Sequence, residues 1–275
     1  MRSIKAISLK SESLFWEMSE VSGYWHVNCI DKKFDVGGSG FSVLKETAKK
    51  KSFSELNERF LVTQIKSIDC KKKEWGLHFD NSCSGFAVGY SKSKTILRAI
   101  LEGCERWTLS QWIDYKISLR ELKIKLDSPM HQELTKFFSG YSIFFKTIPI
   151  YFAERILKAQ VVVFLGWTEK GVFAGYGTKL IFEEALDHAL VEAVRNFLIY
   201  ENQQGNDQFP YDRIRFFAEN KPAAKAAIHE HNRQHWKMPA LNLLKIDRFD
   251  DLWIARAIFD GWEPWQKGSV SRFLY

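Results

Sequence analysis

The apolar residues between Ser84 and Trp107 recur every three or four positions, which is the spacing of one side of an α-helix. This apolar side consists of Ile96, Ala99, Ile100, Gly103 and Trp107. Three leucines flank the other side, namely Leu97, Leu101 and Leu109. A helix that is apolar over most of its circumference is normally buried, so the pattern predicts a buried helix after a short glycine-containing lead-in at 84–89.

The remaining side of this helix is charged. It carries Arg98, Glu102 and Glu105. Two carboxylates three residues apart on a buried helix repel each other and lose hydration, which is tolerable only when a cation or a cationic side chain receives them. The pattern therefore predicts a bound cation or a cationic side chain at this helix.

A second helix, predicted over 45–61, has a similar polar side. Phe53, Leu56 and Phe60 lie on one face, and Glu55 and Glu58 lie on the other. Ser52 lies one turn ahead, and Arg59 follows Glu58 in the sequence. The pattern Glu-x-x-Glu-Arg thus occurs on both helices. A single copy is typical of an exposed helix surface, whereas two copies, each after a glycine-rich segment, favour a functional role.

The glycine-rich segment before this second helix is Gly-Gly-Ser-Gly-Phe-Ser at 37–42. We expect it to be a flexible loop that can bring backbone N–H groups close to a phosphate. Most glycine clusters are merely turns, so the segment alone does not specify a nucleotide site.

The rest of the chain mixes strand and helix patterns. Aromatic residues within 1–36 predict short strands or a packed arm, and apolar runs predict strands at 148–153, 161–167, 172–176 and 254–259. A third buried helix is predicted over 183–200, with a polar seam of His188, Glu192, Arg195 and Asn196. No linker divides the chain, which favours one α+β domain over residues 1–275 with mixed sheets.

Composition and charge exclude several classes of protein. A hydrophobic share of 45% supports a globular core, no apolar window spans a membrane, and the N-terminus lacks a secretory signal, so we expect a cytoplasmic protein without membrane contact. The net charge of +7 suits nucleic acid, but much of it lies in lysine runs at 49–51 and 71–73 that are typical of a solvated face. No nucleic-acid-binding module is recognisable, so this alternative is weaker.

The sequence also contains two weaker indications of a metal site. The four cysteines lack Cys-x-x-Cys spacing, which favours plain thiols over a zinc site or a disulfide framework. His231 and His235 have the i, i+4 spacing of zinc ligands. The surrounding run is fully polar and offers no further ligand, which favours an ordinary polar helix end.

The chain resembles the YcaO proteins, which bind ATP and activate peptide amides. The resemblance extends from Gly37 to Glu263 and rests on four motifs in order. The family's Ser-x-x-Glu-x-x-Glu-Arg motif is matched by Ser52, Glu55, Glu58 and Arg59. Its glycine-rich segment and following Glu-x-x-Glu-Arg helix are matched by Gly85, Ala87, Gly89, Glu102, Glu105 and Arg106. Its later Ala- and Leu-rich helix is matched at Glu192, and its C-terminal Arg strand and Glu are matched by Arg256 and Glu263.

The resemblance implies ATP and Mg²⁺ as cofactors, bound in a cleft lined by helices. It assigns the metal to Glu55, Glu58, Glu102 and Glu105, a donor type that Mg²⁺ accepts together with phosphate oxygens and water. It assigns the nucleotide to Ser52, Arg59, Arg106, Glu192, Arg256 and Glu263, with the arginines as planar phosphate donors.

The implied reaction is activation of a backbone amide in a ribosomally made peptide or protein, yielding an azoline, an amidine or a thioamide. The resemblance leaves no stretch for a leader-binding domain, so we expect a leader-binding or sulfur-handling partner protein, and it allows a homodimer. The alternative is a catalytically degenerate scaffold or peptide-binding subunit. Four departures from the family pattern motivate that alternative: Ser39 in place of a lysine, Tyr90 in place of an asparagine, Lys94 in place of a glutamate, and Arg195 in place of a glutamine.

Overall fold

The computed structural model describes residues 13–21, 23–202, 211–229 and 236–273. The pair His231 and His235 lies outside these ranges. The helices are α1 (Lys45–Lys66), α2 (Asp69–Glu74), α3 (Lys92–Ile113), α4 (Pro129–Thr135), α5 (Phe182–Asn202), α6 (Tyr211–Glu219) and α7 (Lys221–His229). The strands are β1 (Leu14–Val21), β2 (Tyr24–Asp31), β3 (Val36–Ser42), β4 (Phe86–Gly89), β5 (Arg120–Leu122), β6 (Gly140–Phe152), β7 (Arg155–Trp167), β8 (Val172–Lys179), β9 (Leu241–Phe249) and β10 (Leu252–Phe259).

Helices and strands take comparable shares of the chain, 39% and 34%, which confirms the predicted α+β class. The chain forms two compact units. Unit 1 comprises Met1–Gly103 and Leu243–Ile258, and unit 2 comprises Cys104–Asn242 and Phe259–Tyr275. The single domain over residues 1–275 stays a prediction.

Unit 1 contains two three-stranded sheets. The first has the order β1-β2-β3 with antiparallel pairing, and the second has the order β4-β10-β9. Helix α1 packs on the first sheet and buries Leu56 and Phe60 in a core that also contains Trp75, Phe86 and Ile254. Burial of these large side chains stabilises the unit by roughly 1.5–3 kcal/mol each.

The segment predicted as a flexible loop is strand β3, so the prediction for 37–42 is wrong. A Cβ atom at Gly38 would overlap backbone atoms of Ser52 and Leu56, and one at Gly40 would overlap the backbone of Ala48. The glycines are therefore needed because α1 crosses the strand too closely for side chains. A glycine cluster can signal such contact as well as a turn.

Unit 2 contains a four-stranded antiparallel sheet with the order β5-β6-β7-β8. Helix α5 crosses β8 in the same manner as α1 crosses β3. A Cβ atom at Gly175 would overlap backbone atoms of Ala189 and Ala193, and one at Gly177 would overlap the backbone of Ala185. The two units thus use the same close approach of a helix to a glycine-bearing strand.

The similarity extends to the sequence. We call residues 14–66 the first module and residues 140–202 the second module, because each consists of three consecutive antiparallel strands followed by a long helix, with α4 and β5 preceding the second. Aligning the two strand glycines also aligns the following pairs: Glu46 with Glu183, Ala48 with Ala185, Glu55 with Glu192, Phe60 with Phe197, and Leu61 with Leu198. The chain therefore contains one structural module twice.

The prediction for α3 is confirmed in its main features. Ala99, Ile100 and Trp107 are buried, and Gly103 lies against the Ala257 backbone, where a Cβ atom would be 2.7 Å from the carbonyl oxygen. The strands predicted at 161–167 and 172–176 lie within the longer β7 and β8. The strand predicted at 148–153 lies within β6 except for Ala153, which is in the turn between β6 and β7. Within the described ranges, no helix has both the length and the apolar character required to cross a bilayer.

Each unit also has a fully buried arginine that donates to backbone carbonyls. In unit 1, Arg256 donates from its three nitrogens to the carbonyls of Ser84, Trp75 and Asp80 at 3.3, 2.7 and 2.8 Å. In unit 2, Arg213 donates to the carbonyl of Trp265 at 3.0 Å and to the carbonyls of Lys267 and Gly268. Both side chains have zero exposure, and burial lowers the pKa of each to about 10.

Candidate functional site

Each module holds one glutamate by a backbone N–H of its glycine-bearing strand. The Ser39 N–H donates to Glu55 Oε2 at 2.8 Å, and the Tyr176 N–H donates to Glu192 Oε2 at 2.5 Å. In both cases the glutamate lies sixteen residues after the donor. We call Glu55 and Glu192 the anchored glutamates, since a backbone donor fixes each carboxylate relative to the sheet.

In unit 1, the anchored glutamate belongs to a set of five charged side chains. The unit 1 group consists of Glu55, Glu58, Glu102, Arg59 and Arg98. Arg59 contacts Glu55 at 2.6 Å, the Gly85 N–H donates to Glu102 at 3.2 Å, and Arg98 donates to the Val88 carbonyl at 3.0 Å. The charge of Glu102 on α3 thus acts on the carboxylate of Glu58 on α1.

Glu58 is a strongly perturbed member of the unit 1 group. Desolvation raises its pKa well above the usual value, and the negative charges of Glu102 and Glu55 raise it further, while Arg98 and Arg59 oppose the shift. Three carboxylates face two guanidinium groups, so the group has one negative charge in excess when all members are ionised. A cation bound here would relieve the repulsion at Glu58.

Unit 2 places a different set around its anchored glutamate. The unit 2 group consists of Glu105, Glu192, Arg106 and Arg195. Glu105 is 8% exposed, and Arg106 lies 3.8 Å from its carboxylate and 4.2 Å from the centre of the Trp265 ring. Burial and the charge of Glu105 raise the pKa of Glu192 to about 7, although Arg106, the Tyr176 N–H and Arg195 act in the opposite direction.

The donor set of the unit 1 group fits Mg²⁺. In the part of the chain that the structure describes, no three or more His, Cys, Asp or Glu side chains form a cage that would hold a metal ion by themselves. Mg²⁺ does not require such a cage, because it normally takes one or two carboxylates and completes its shell with phosphate oxygens and water. The excess negative charge and the desolvated Glu58 carboxylate suit this mode of binding.

Two residues predicted to bind nucleotide donate hydrogen bonds to backbone carbonyls inside unit 1. Ser52 is fully buried, and its hydroxyl donates to the Gly38 carbonyl at 2.8 Å, which joins α1 to β3. Arg256 is fully buried and bonded to three backbone carbonyls, so a phosphate could reach it only by displacing them. The polar atoms of both side chains thus have partners inside unit 1, and the nucleotide roles of Ser52 and Arg256 stay predictions.

Glu263 lies near the surface of unit 2. Its carboxylate accepts bonds from Tyr115 at 2.8 Å and from Lys267 at 2.7 Å, and its backbone N–H donates to the Ser110 hydroxyl. Its nucleotide role, like those of Arg59, Arg106 and Glu192, stays a prediction.

Comparison with known families decides the relationship of this chain. A family model described as YcaO cyclodehydratase, ATP- and Mg²⁺-binding, matches residues 55–269. The chain belongs to the YcaO family. The resemblance seen in the sequence is thereby confirmed, and ATP and Mg²⁺ are the cofactors of the family. Comparison with curated proteins finds no match.

Solved structures confirm the YcaO-like fold. YcaO from Methanopyrus kandleri, bound with AMPPCP and Mg²⁺, has a TM-score of 0.60 and 10% identity over 89% of this chain and 85% of that one. A heterocyclase in complex with substrate and cofactor has a TM-score of 0.50 and 15% identity over 70% of this chain. The heterocyclase TruD has a TM-score of 0.46 and 16% identity over 70% of this chain. This YcaO chain spans only 29% and 30% of those two heterocyclases, respectively.

Sequence reasoning missed three features of this YcaO site. It assigned Arg98 only to the polar side of α3, whereas Arg98 is a charged neighbour of Glu58. It did not detect the backbone anchors at Ser39 and Tyr176, since a backbone donor leaves no side-chain signature. It also missed the repeated module, although the spacing of Gly-x-Gly and the later glutamate is the same in both copies.

Proposed function

We propose that this YcaO protein is an ATP- and Mg²⁺-dependent enzyme of the cyclodehydratase type that activates a backbone amide in a ribosomally made peptide or protein. The observation that carries the proposal is the unit 1 group, in which the charges of Glu102 and Glu55 act on the desolvated Glu58 carboxylate within the matched family region. A desolvated carboxylate group with excess negative charge is a suitable ligand set for a nucleotide-bound magnesium ion.

Each member of the unit 1 group would have a distinct task. Glu58 would be the principal Mg²⁺ ligand, because desolvation and the charges of Glu102 and Glu55 disfavour its ionised form and a bound cation would relieve this. Glu55, fixed by the Ser39 N–H and Arg59, would hold the ligand geometry, and Glu102 would be fixed by the Gly85 N–H. When bound, MgATP would supply the phosphoryl group that makes the amide oxygen a leaving group. The fixed carboxylates would then contribute positioning and charge neutralisation.

The product and the recruitment of the peptide extend the proposal. We infer an azoline when a side chain of the peptide is the nucleophile, and a thioamide or an amidine when an external sulfur or nitrogen nucleophile is used. We also infer that a leader-binding or sulfur-handling partner protein delivers the peptide. A reconstitution with candidate partners, read by mass change of the peptide, distinguishes loss of water from exchange of oxygen for sulfur.

Nucleotide binding by the purified full chain tests the enzyme proposal. We expect wild type to bind ATP in a Mg²⁺-dependent manner and Glu58→Ala to lower this affinity by at least about tenfold, since metal-site mutations commonly cost 10–100-fold. Glu121→Ala, which removes an exposed carboxylate on β5, is the matched control and should bind like wild type. Folded wild-type protein that binds no nucleotide would contradict the proposal.

The alternative function is a scaffold or peptide-binding subunit without turnover. Arg195 specifically favours it, because a guanidinium group in the unit 2 group stands where the family motif has a neutral glutamine. In that case the chain would bind peptide or partner, and the reconstituted complex would release no phosphate beyond the Glu58→Ala background. Phosphate release that requires Glu58 would rule this alternative out.

A further inference from the structure

Ser39 on β3 connects the anchored glutamate of unit 1 to a histidine. Its backbone N–H donates to Glu55 Oε2 at 2.8 Å, and its hydroxyl Oγ lies 2.9 Å from Nε2 of His26 on β2. Arg59 contacts the other oxygen of the Glu55 carboxylate, Oε1, at 2.6 Å. A hydroxyl and an imidazole thus adjoin one of the carboxylates that we propose for the Mg²⁺ site.

The Ser39 side chain lies on the face of the first sheet that is opposite α1. The neighbouring glycines, Gly38 and Gly40, are the positions at which a Cβ atom would overlap the backbone of α1. Because successive side chains of a strand point to opposite faces, Ser39 points away from that helix. Ser39, His26 and Glu55 are each half-buried, so a ligand beside the Glu55 carboxylate can reach the Ser39 hydroxyl.

The second module forms without a serine and a histidine at the equivalent positions. Tyr176 takes the place of Ser39 as the N–H donor to the anchored glutamate. Two residues after each N–H donor, the strand residue lies opposite His26 in the first module and opposite Val161 in the second. Val161 is fully buried. The anchoring of the glutamate therefore does not require the polar pair, which favours a functional role for the pair.

The hydrogen bond between His26 and Ser39 determines what the hydroxyl can donate to. A serine hydroxyl has one O–H and two acceptor lone pairs, and a neutral imidazole has one N–H, on either ring nitrogen. When Nε2 carries the proton, His26 donates to Ser39 Oγ, and the Ser39 O–H can point to a further acceptor. When Nε2 is unprotonated, Ser39 donates to His26, and the hydroxyl offers a ligand only its lone pairs.

We propose that the Ser39 hydroxyl donates to a phosphate oxygen of magnesium-bound ATP, and that His26 is the positioning residue whose Nε2–H holds Ser39 in this orientation. The inference rests on the proposed function, which brings MgATP to the unit 1 group. Mg²⁺ that is held by carboxylates completes its shell with phosphate oxygens, so a phosphate bound there would experience repulsion from Glu55. A hydroxyl donor on the residue that anchors Glu55 would offset this repulsion. Position 39 is one of the four departures from the family pattern, which makes the contact a property of this chain.

ATP binding to the full chain in the presence of Mg²⁺, measured by isothermal titration calorimetry, tests the inference. We expect Ser39→Ala and His26→Leu each to weaken ATP binding by about tenfold or more, since each removes the oriented hydrogen bond to a charged group. The double variant should lose no more than either single variant, because both changes remove the same bond. His26→Gln, whose amide N–H can take the place of Nε2–H, should keep most of the wild-type affinity.

The controls separate a contact to the nucleotide from a structural effect. Ser39→Ala keeps the backbone N–H that anchors Glu55, and circular dichroism verifies that each variant is folded. His78→Leu removes an exposed histidine from unit 1 and should bind ATP like wild type. If His26→Leu unfolds, Ser39→Ala and His26→Gln still give the two expected results.

The outcomes distinguish this inference from the proposed function. Unchanged ATP affinity in folded Ser39→Ala, or additive losses in the double variant, would overturn the inference even though the wild type binds ATP. A loss in His26→Gln as large as that in His26→Leu would overturn the positioning role of His26. Folded wild type that binds no ATP would contradict both proposals, whereas absence of phosphate release with the expected affinities would contradict only enzymatic turnover.

Discussion

The two modules of this chain share a backbone arrangement but differ in the side chains around their anchored glutamates. Both place two strand glycines under a helix, and both donate a strand N–H to a glutamate sixteen residues later. Three residues after its anchored glutamate, the first module has Glu58, whereas the second has Arg195. The comparison teaches that the close strand–helix contact determines where the glutamate lies, while its neighbours determine what that glutamate can bind.

The largest expected effect concerns the contact that the modules share. Gly38→Ala and Gly175→Ala should each destabilise the protein by at least about 3 kcal/mol, because the new Cβ atom would overlap helix backbone that cannot move independently. Chemical denaturation measures the loss. Gly140→Ala, at a position with no atom within 4 Å of a new Cβ, is the control and should change stability by less than about 1 kcal/mol. Tolerance of either of the first two substitutions would mean that the modules do not share this constraint.

The buried arginines offer the next comparison. Arg256→Met in unit 1 should cost about 3 kcal/mol, since it removes the donor to the carbonyls of Trp75 and Asp80. Arg213→Met in unit 2 should cost less, about 2 kcal/mol, because the carbonyls of Trp265 and Lys267 also accept from Arg272. Thermal unfolding measures the cost, with the exposed Arg120→Met as control. We expect folded Arg256→Met to keep its affinity for ATP. A selective loss of ATP affinity without loss of stability would support the phosphate role predicted from the sequence.

The anchored glutamate of the second module should show a pH dependence. Its pKa is raised from 4.5 to about 7 in the folded chain, so the folded state binds a proton that the unfolded state has lost between these pH values. The contribution of Glu192 to the free energy of unfolding should therefore fall as pH rises from about 4.5 to 7, by roughly 2 kcal/mol. Denaturation curves across this range should show that Glu192→Gln lacks the decline. An unchanged pH profile in that variant would refute the shift.

The smallest effect is expected at the hydrogen bond that only the first module has. Ser52 donates to the Gly38 carbonyl, whereas the equivalent position of the second module is Ala189. Ser52→Ala should therefore cost only about 1 kcal/mol in the free energy of unfolding. Its ATP affinity, measured by titration, should equal that of wild type. A tenfold loss of affinity would indicate that the Ser52 hydroxyl serves the nucleotide site.

The sequence predicted elements with strong periodicity better than elements defined by close backbone contact. The apolar spacing of α3 identified Ala99, Ile100 and Trp107 as buried, because side-chain burial repeats every three or four residues along a helix. Gly38 and Gly40 were predicted to lie in a loop, although they lie in strand β3. A glycine in the sequence does not show which atoms of the fold occupy the space of its missing side chain. Only the position of α1 shows that helix backbone occupies that space.

The candidate site was predictable in its carboxylates but not in its charge balance. The family resemblance led to the expectation that Glu58 and Glu102 face one cleft, and the charge of Glu102 does act on the Glu58 carboxylate. The departure at Arg195 was visible as a residue type, but its effect depends on Glu105 and Arg106, which are distant in sequence. Burial and proximity of distant residues determine such effects, and neither is encoded in local spacing.

The anchoring of Glu55 and Glu192 by backbone N–H groups has an evolutionary consequence. Every residue except proline has a backbone N–H, so only a substitution by proline removes the donor to each glutamate. Ser39 and Tyr176, which differ in size and chemistry, perform the same task for this reason. The replacement of the family's lysine by Ser39 therefore changes one charge without releasing Glu55, and positions 39 and 176 can vary across generations while both glutamates stay in place.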